Sequence, residues 1–437
     1  MLKKVVILLT LAFFLASFIN KSDLLAFKLQ QAGIASVGGE QTFNLRSVIG
    51  PIFNNLGDTV NYSNKLYALK APGLFIVGGS FYFILLQFGY TYLNNYLEIS
   101  FIITILLAVL PTIGLFYFSW QYFENKLNFS HKFSFFLSLF LLIATMLMSY
   151  SGVAGGDIIA LFIIFTAFIL DEIDKYKNKA VISFLLGFSI LFSYKAIIFS
   201  ALLFLFLWWQ DRNWRNVLAY LLGTSFLLFY HFYLFNNPFI TPHYLLSNQL
   251  DVFPKLVNIN FRNKFIFYFL DTRTSIFANN LILIPAIMGL IWNYKNKMVK
   301  KIGIISIVYL IYLFLMKTVG DCQYPPRYLL MLIPFWYLGL PLLLIKCNTL
   351  KKYIWLKVSL YVIIICLLII SIISNLTAAL FSVMNCNYSE NIWQLTFLNI
   401  TKLNWTVLRE DLILSYGFLV ILIPIIFILF SKEKEDL

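Results

Sequence analysis

The sequence predicts an all-α polytopic membrane protein: a bundle of about twelve transmembrane helices forming one integral domain over residues 1–437. Three observations predict it. Runs of about 17–25 apolar residues recur along the whole chain, each long enough to cross ~30 Å of hydrocarbon as a helix. Hydrophobic residues make up 61% of the chain and charged residues 12%, against roughly 25% charged in a soluble domain. Lys and Arg fall in the short connections between apolar runs, the pattern that sets membrane orientation. Barrel strands would instead be ~10 residues long with alternating polarity, and that pattern is absent.

The elements follow in order. Lys3-Lys4 and the run Val5–Phe18 have the form of a signal peptide without an obvious small-residue cleavage site, so this segment reads as an uncleaved anchor entering from the cytoplasm. Further spans are expected near 99–121, 133–150, 157–173, 180–193, 196–210, 216–235, 279–293, 302–317, 327–345, 357–374 and 412–430. With both termini inside, the inner connections carry Lys126, Lys132, Lys175, Lys177, Lys179, Arg212, Arg215, Lys295, Lys297, Lys300 and Lys301. The stretch Gly73–Leu93 is also long and apolar, but a crossing there would move every later basic loop outside. Gly73, Gly78, Gly79 and Gly89 weaken it as a helix by up to ~1 kcal/mol each. It is therefore expected as an interfacial or re-entrant helix pair that returns to the outer face. Polar outer loops are expected at 20–72, 236–278 and 375–411.

The net charge of +14 does not point to nucleic acid, because the basic residues are scattered between apolar runs rather than clustered on a polar domain. The four cysteines lack metal-ligand spacing; Cys322 and Cys386 both fall outside in this topology and are the pair a disulfide would join.

Several outer-side segments hold residues fit for chemistry. Tyr67 and Lys70 precede a Pro72-Gly73 turn, which places a cation at a loop-to-helix junction; a snorkelling interface lysine would look the same. Arg327 and Tyr328 open an apolar run containing Pro334. An arginine near hydrocarbon needs a partner, and its planar fork suits phosphate, although an interfacial anchor is again the plainer account. His231 and His243 flank the turn Asn236-Asn237-Pro238 among aromatics, with no metal spacing, as in an ordinary interfacial aromatic belt. Asp157 follows Gly155-Gly156 at one span entrance and Lys195 lies between two short spans; each faces a polar cavity or merely caps a turn.

Taken in order, these segments resemble the bacterial GT-C-type glycosyltransferases of the protein O-mannosyltransferase and aminoarabinose transferase superfamily. Tyr67, Lys70, Pro72 and Gly73 resemble the Tyr-x-x-Lys-x-Pro-Gly segment that closes the first outer loop, and Asp58 stands a dozen residues before the lysine, as in many members. Asn20-Lys21-Ser22-Asp23 resembles an Asn-x-Ser-Arg segment with Asp in the last place, and Phe235–Phe239 the end of a mid-chain Phe-Gly-x-Pro-Phe segment with Asn for Gly. Gly320 with Pro326-Arg327-Tyr328-Leu329 and Pro334 resembles a late Gly-Pro-Arg-Tyr-Leu segment with its glycines reduced. The likeness covers roughly residues 1–345. The chain departs from the family at the Asp-Glu pair that well-known members place after the first span; only Asp23 lies there.

The resemblance implies a GT-C-like bundle whose first outer loop contains interfacial helices, acting at the outer face of a plasma (inner) membrane. It implies transfer of a sugar from a polyprenyl-phosphate donor to a lipid, glycan or protein acceptor. Lys70 and Arg327 would stabilise the leaving phosphate. Asp58, or secondarily Asp23, would take the acceptor proton. Tyr67, Tyr328, His243 and Asp157 would line the substrate site. It implies no certain cofactor, and a divalent metal is left open. A transporter or lipid-linked-sugar flippase, and a glycan polymerase or ligase of another fold, are the competing expectations.

Overall fold

The computed structural model describes residues 2–19, 24, 25, 27–173, 178–249, 261–271, 275–316, 326–349, 354–381 and 425. The chain is mostly helical, at 76%, with a single two-stranded sheet among the described residues. Asp23, Cys322, Cys386 and most of the expected last span lie outside the described residues.

The helices that bear on the site are α1 (Leu2–Ala16), α2 (Lys28–Gly39), α3 (Gly73–Gln87), α4 (Tyr92–Thr104), α5 (Leu110–Asn125), α6 (His131–Ile143), α7 (Leu147–Tyr150), α8 (Gly156–Glu172), α9 (Lys179–Ser189), α10 (Ala196–Gln210), α11 (Trp214–Phe235), α12 (Pro242–Gln249), α13 (Phe261–Phe265), α14 (Ile276–Asn279), α15 (Leu283–Trp292), α16 (Lys297–Leu315), α17 (Ile333–Tyr337), α18 (Gly339–Thr349) and α19 (Ile354–Phe381). Helix occupies each of the first eleven expected spans. Among the described residues, five segments are long and apolar enough to cross a membrane: Tyr92–Asn125, Trp214–Phe235, Lys297–Leu315, Arg327–Thr349 and Ile354–Ala379. Lengths alone therefore do not establish twelve crossings.

The expected span 133–150 is broken. Helix α6 stops at Ile143 and the chain resumes as α7. A backbone N–H freed inside a packed bundle needs a new acceptor, and Asn280 supplies it, its side-chain oxygen accepting from the Met146 N–H at 2.6 Å. A polar side chain thereby becomes a structural part of an apolar interior.

The expected polar loop 20–72 contains a buried helix, α2, and its partner is α3. The two run side by side in the same direction: Gly33 meets Phe75, Ile34 meets Gly78, and Gly38 meets Tyr82. A Cβ on Gly38 would strike the Gly79 carbonyl. The glycines of α3 lower its intrinsic helicity, but the close approach they allow returns more in packing, as at small-residue seams elsewhere in membranes. Tyr92 holds the first turn of α2 by donating its hydroxyl to Gln31 Oε1 at 2.6 Å.

The segment 73–93 is one helix and a turn. After α3 the chain turns at Gly89, whose φ of +82° suits glycine, and enters α4. The 34-residue segment Tyr92–Asn125 is kinked at Asn95, where φ is −129°, and from Tyr96 it runs on through a π-helical stretch, Ile105–Val109. At 1.5 Å per residue the rod beyond the kink is about 45 Å long. Its C-terminal end lies beside the C-terminal end of α8. Gly114 abuts Phe162, Tyr122 donates to Met298 Sδ, and Lys301, a turn beyond Met298, bonds Glu172 at 2.7 Å. The rod's other end, at Tyr96, therefore lies towards the start of α8.

The two ends differ in chemistry. At the C-terminal end of α8, Lys301 bonds Asp171 at 3.1 Å and Lys179 bonds the same carboxylate. Nearby on α5, Glu124 faces Lys4 at 3.5 Å and His131 at 2.9 Å. The opposite end holds the cavity described next.

Candidate functional site

A β-hairpin begins the site. Strands β1 (Thr59–Tyr62) and β2 (Lys65–Ala68) pair antiparallel with Thr59 opposite Ala68. Ser63 and Asn64 both have positive φ, 49° and 61°, which makes a tight two-residue turn whose twist matches the strands. One step beyond the strands, the Leu69 N–H bonds the Asp58 carbonyl at 2.8 Å, with Asp58 itself left-handed at φ 50°. This register carries Lys70 alongside Asp58, and Lys70 Nζ donates to Asp58 Oδ2 at 2.7 Å. The twelve-residue spacing noted in the sequence is the length of one hairpin.

The next residues start α3. The Gly73 N–H bonds the Leu191 carbonyl at 2.8 Å. A Cβ on Gly73 or Gly156 would collide with the carbonyls of Leu191 or Phe192. Two glycines at two helix starts thus let the 190–195 connection, between α9 and α10, pass directly across them. That connection carries Ser193, Tyr194 and Lys195.

Asp157 is the hub. Ser193 Oγ donates to its Oδ1 at 2.6 Å, Lys195 Nζ to its Oδ2 at 2.8 Å, and Arg327 Nε lies 3.6 Å from Oδ2. Lys195 also sits over the Tyr328 ring at 4.1 Å, and Arg327 at 5.6 Å. Three distant parts of the chain meet on one carboxylate.

These groups open onto one cavity of about 900 Å³. Its walls include Asp58, Lys70, Asp157, Lys195 and Arg327, with His231, His243 and Tyr328 beside them and apolar residues such as Leu74, Ile197, Leu227 and Leu228 elsewhere. Three side-chain cations thus face two carboxylates. The starts of α3, α8 and α10 lie at the same wall, and the positive ends of their dipoles add to the excess. The arrangement suits an anion that carries an apolar body.

Charge within the cavity sets its acid–base character. Burial raises the carboxyl of Asp58, but the charge and hydrogen bond of Lys70, with Arg327 and His243 behind them, outweigh it and hold Asp58 below the usual carboxylate value. Asp58 is thus an anion whose side chain remains 62% exposed towards the cavity mouth. His243 is pushed below its ordinary value, first by burial among its neighbours and then by Lys70. It is a neutral ring at neutral pH.

The structure brings together six of the eight residues singled out from the sequence: Asp58, Lys70, His243, Asp157, Arg327 and Tyr328. Tyr67 is a correction. Its ring is 3% exposed and packs edge-on against Phe235 at 5.5 Å in a small cluster with Val60 and Leu69, so it props the hairpin rather than lining the cavity. Asp23 lies outside the described residues.

Lys195 is the main residue that sequence reasoning undervalued. Asp157 and Lys195 open successive outer-side span entrances with opposite charges, and that pairing was the available signal. His231 and Tyr194 were hidden among abundant aromatics.

The described side chains around the cavity do not build a divalent-cation site. Among the described residues no group of three or more His, Cys, Asp and Glu side chains comes together. The cavity's two carboxylates are also turned towards ammonium groups. No protein-family model, no curated protein and no solved structure matches the chain.

Proposed function

We propose that this protein is a membrane glycosyltransferase that moves a sugar from a polyprenyl-phosphate carrier to a lipid, glycan or protein acceptor at the outer face of the membrane. One observation carries the reading: Lys70, Lys195 and Arg327 converge with Asp58 and Asp157 on a single cavity with apolar walls at one end of a helical bundle. The order of the motifs along the chain supports it. The basic residues Lys4, Lys179 and Lys301 gather at the other end; by the positive-inside bias that end is cytoplasmic and the cavity faces outward.

The reaction is a single displacement. The acceptor hydroxyl oxygen attacks the anomeric carbon, the bond from that carbon to the phosphate oxygen breaks, and polyprenyl phosphate leaves with the electron pair. Asp58 accepts the hydroxyl proton. A carboxylate held as an anion by Lys70 is a weak base, so much of its contribution is orienting the acceptor. Arg327 and Lys70 meet the charge that grows on the leaving phosphate, as cations positioned before the reaction begins. Asp157, already bonded by Ser193 and Lys195 and ion-paired with Arg327, keeps those groups in place. The apolar wall takes the first isoprene units.

The test is transfer by purified protein in nanodiscs supplied with a polyprenyl-phosphate sugar and membrane lipid extract. A new glycosylated product is expected, and its loss in Lys70→Ala and Arg327→Ala proteins that still fold. Full activity in both variants would overturn the reading. Movement of the lipid-linked sugar across the bilayer without any transfer product would replace it with a flippase.

A further inference from the structure

Between Ser193 and Lys195, which both reach Asp157, stands Tyr194, which points elsewhere. Its hydroxyl lies 3.1 Å from His231 Nε2, and its ring stacks on the imidazole at an interplanar angle of 27°. His231 Nδ1 lies 3.2 Å from the Pro238 carbonyl. A carbonyl only accepts, so Nδ1 carries the proton and Nε2 of the neutral ring accepts from Tyr194. His231 is 2% exposed and sits one turn before the end of α11, where Asn236 turns the chain in a left-handed conformation.

We propose that His231 is a positioning residue for the phosphate end of the cavity, acting through Tyr194 on the 190–195 connection. The inference rests on the transferase reading. The connection is a run of turns, in which the Ala196 N–H bonds the Ser193 carbonyl and Lys195 is already helical at φ −67°. Tyr194 is pinned to α11, while the residues on either side of it both meet Asp157. Releasing Tyr194 frees the backbone that aims Lys195, while Asp157 and Arg327 keep their own helices. His231 is not itself a base here, because its free nitrogen is already occupied by the tyrosine hydroxyl.

The experiment measures equilibrium binding of farnesyl phosphate, a short polyprenyl phosphate, to the full-length protein in nanodiscs, alongside thermal unfolding. His231→Ala and Tyr194→Phe should each weaken binding about tenfold, and the double variant should be no weaker than the worse single one, since both break the same link. His231→Gln, which restores an acceptor near Nε2, should recover most of the loss. In the transfer assay the KM for the lipid-linked sugar should rise while kcat stays within about twofold, the signature of lost binding rather than lost chemistry.

Unchanged binding in Tyr194→Phe and His231→Ala, additive losses in the double variant, or no rescue by His231→Gln would overturn the inference while the transferase reading stands. Failure of the unaltered protein to bind farnesyl phosphate would overturn both. Should His231→Ala not fold, Tyr194→Phe and His231→Gln decide the matter.

Discussion

Lys70 Nζ and Asp58 Oδ2 stand 2.7 Å apart at the open end of a hairpin whose register places them together. The pair is partly exposed, so it is worth little to the fold, under about 1 kcal/mol, yet in the proposed reaction it holds both the base and one phosphate cation. Lys70→Met should therefore leave the unfolding midpoint almost unchanged while transfer falls by two orders of magnitude or more, roughly the span associated with one preorganised charge. Equal losses of stability and activity would show that the pair is structural.

The pH dependence follows from the lowered Asp58 carboxyl. A carboxyl below its unfolded value adds stability above that value, and the stability is lost as pH falls through the folded one. Its carboxylate, the active form, persists over the same range. The acid limb of kcat/KM should accordingly lie below the ordinary Asp value of about 3.9. In Lys70→Met the limb should move upward, because the largest lowering influence is gone. A limb that does not move would assign the base to another residue.

Asp157 is a different case, since its side chain and that of Lys195 are only 15% and 13% exposed. Removing one partner of a buried pair strands the other, at a cost of about 3–5 kcal/mol. Asp157→Ala should lower the thermal midpoint strongly. The double change Asp157→Leu/Lys195→Met should recover part of that loss without recovering activity. A midpoint no lower in the single variant than in the double would contradict the hub described here.

The two helix-start glycines give a spatial test. Gly156→Ala places a Cβ against the Phe192 carbonyl and must displace the 190–195 connection, whereas Gly303→Ala on α16 meets nothing within 4 Å. The first should weaken farnesyl phosphate binding. The second should be neutral or stabilise its helix by up to ~1 kcal/mol. Similar effects from both would remove the argument that the glycines shape the cavity.

Asn280→Leu removes the acceptor for the Met146 N–H at the break between α6 and α7. An unsatisfied buried donor costs ~1–3 kcal/mol. Thermal unfolding should report that loss with ligand affinity preserved, and an unaltered midpoint would mean the break is satisfied by other means.

Helix positions were legible because apolar runs are long and turns are marked by charge: α10 matches its expected bounds, Ala196–Gln210. The break after Ile143 was not legible, because the residue that compensates for it, Asn280, is over a hundred positions away. Helix α2 was hidden for a related reason. Its polar Gln30 and Gln31 look like loop residues until Tyr92 and α3 bury them. Within the site, Asp58, Lys70 and Arg327 stood out because they lie at turns with proline or glycine. Tyr67 misled because an aromatic beside a motif lysine packs as readily behind the motif as within it. Lys195 escaped because the sequence shows a charge at a junction but not which helix start it faces.

The rod from Tyr96 to Asn125, beyond the kink at Asn95, has a consequence for where the proposed chemistry happens. At about 45 Å it exceeds the ~30 Å of hydrocarbon that a bilayer offers. In the proposed orientation the surplus stands clear of lipid as a mast, with α3 packed beside it where Gly78 meets Leu107. A phosphate held at headgroup level would there meet a water-borne hydroxyl without either one entering oil.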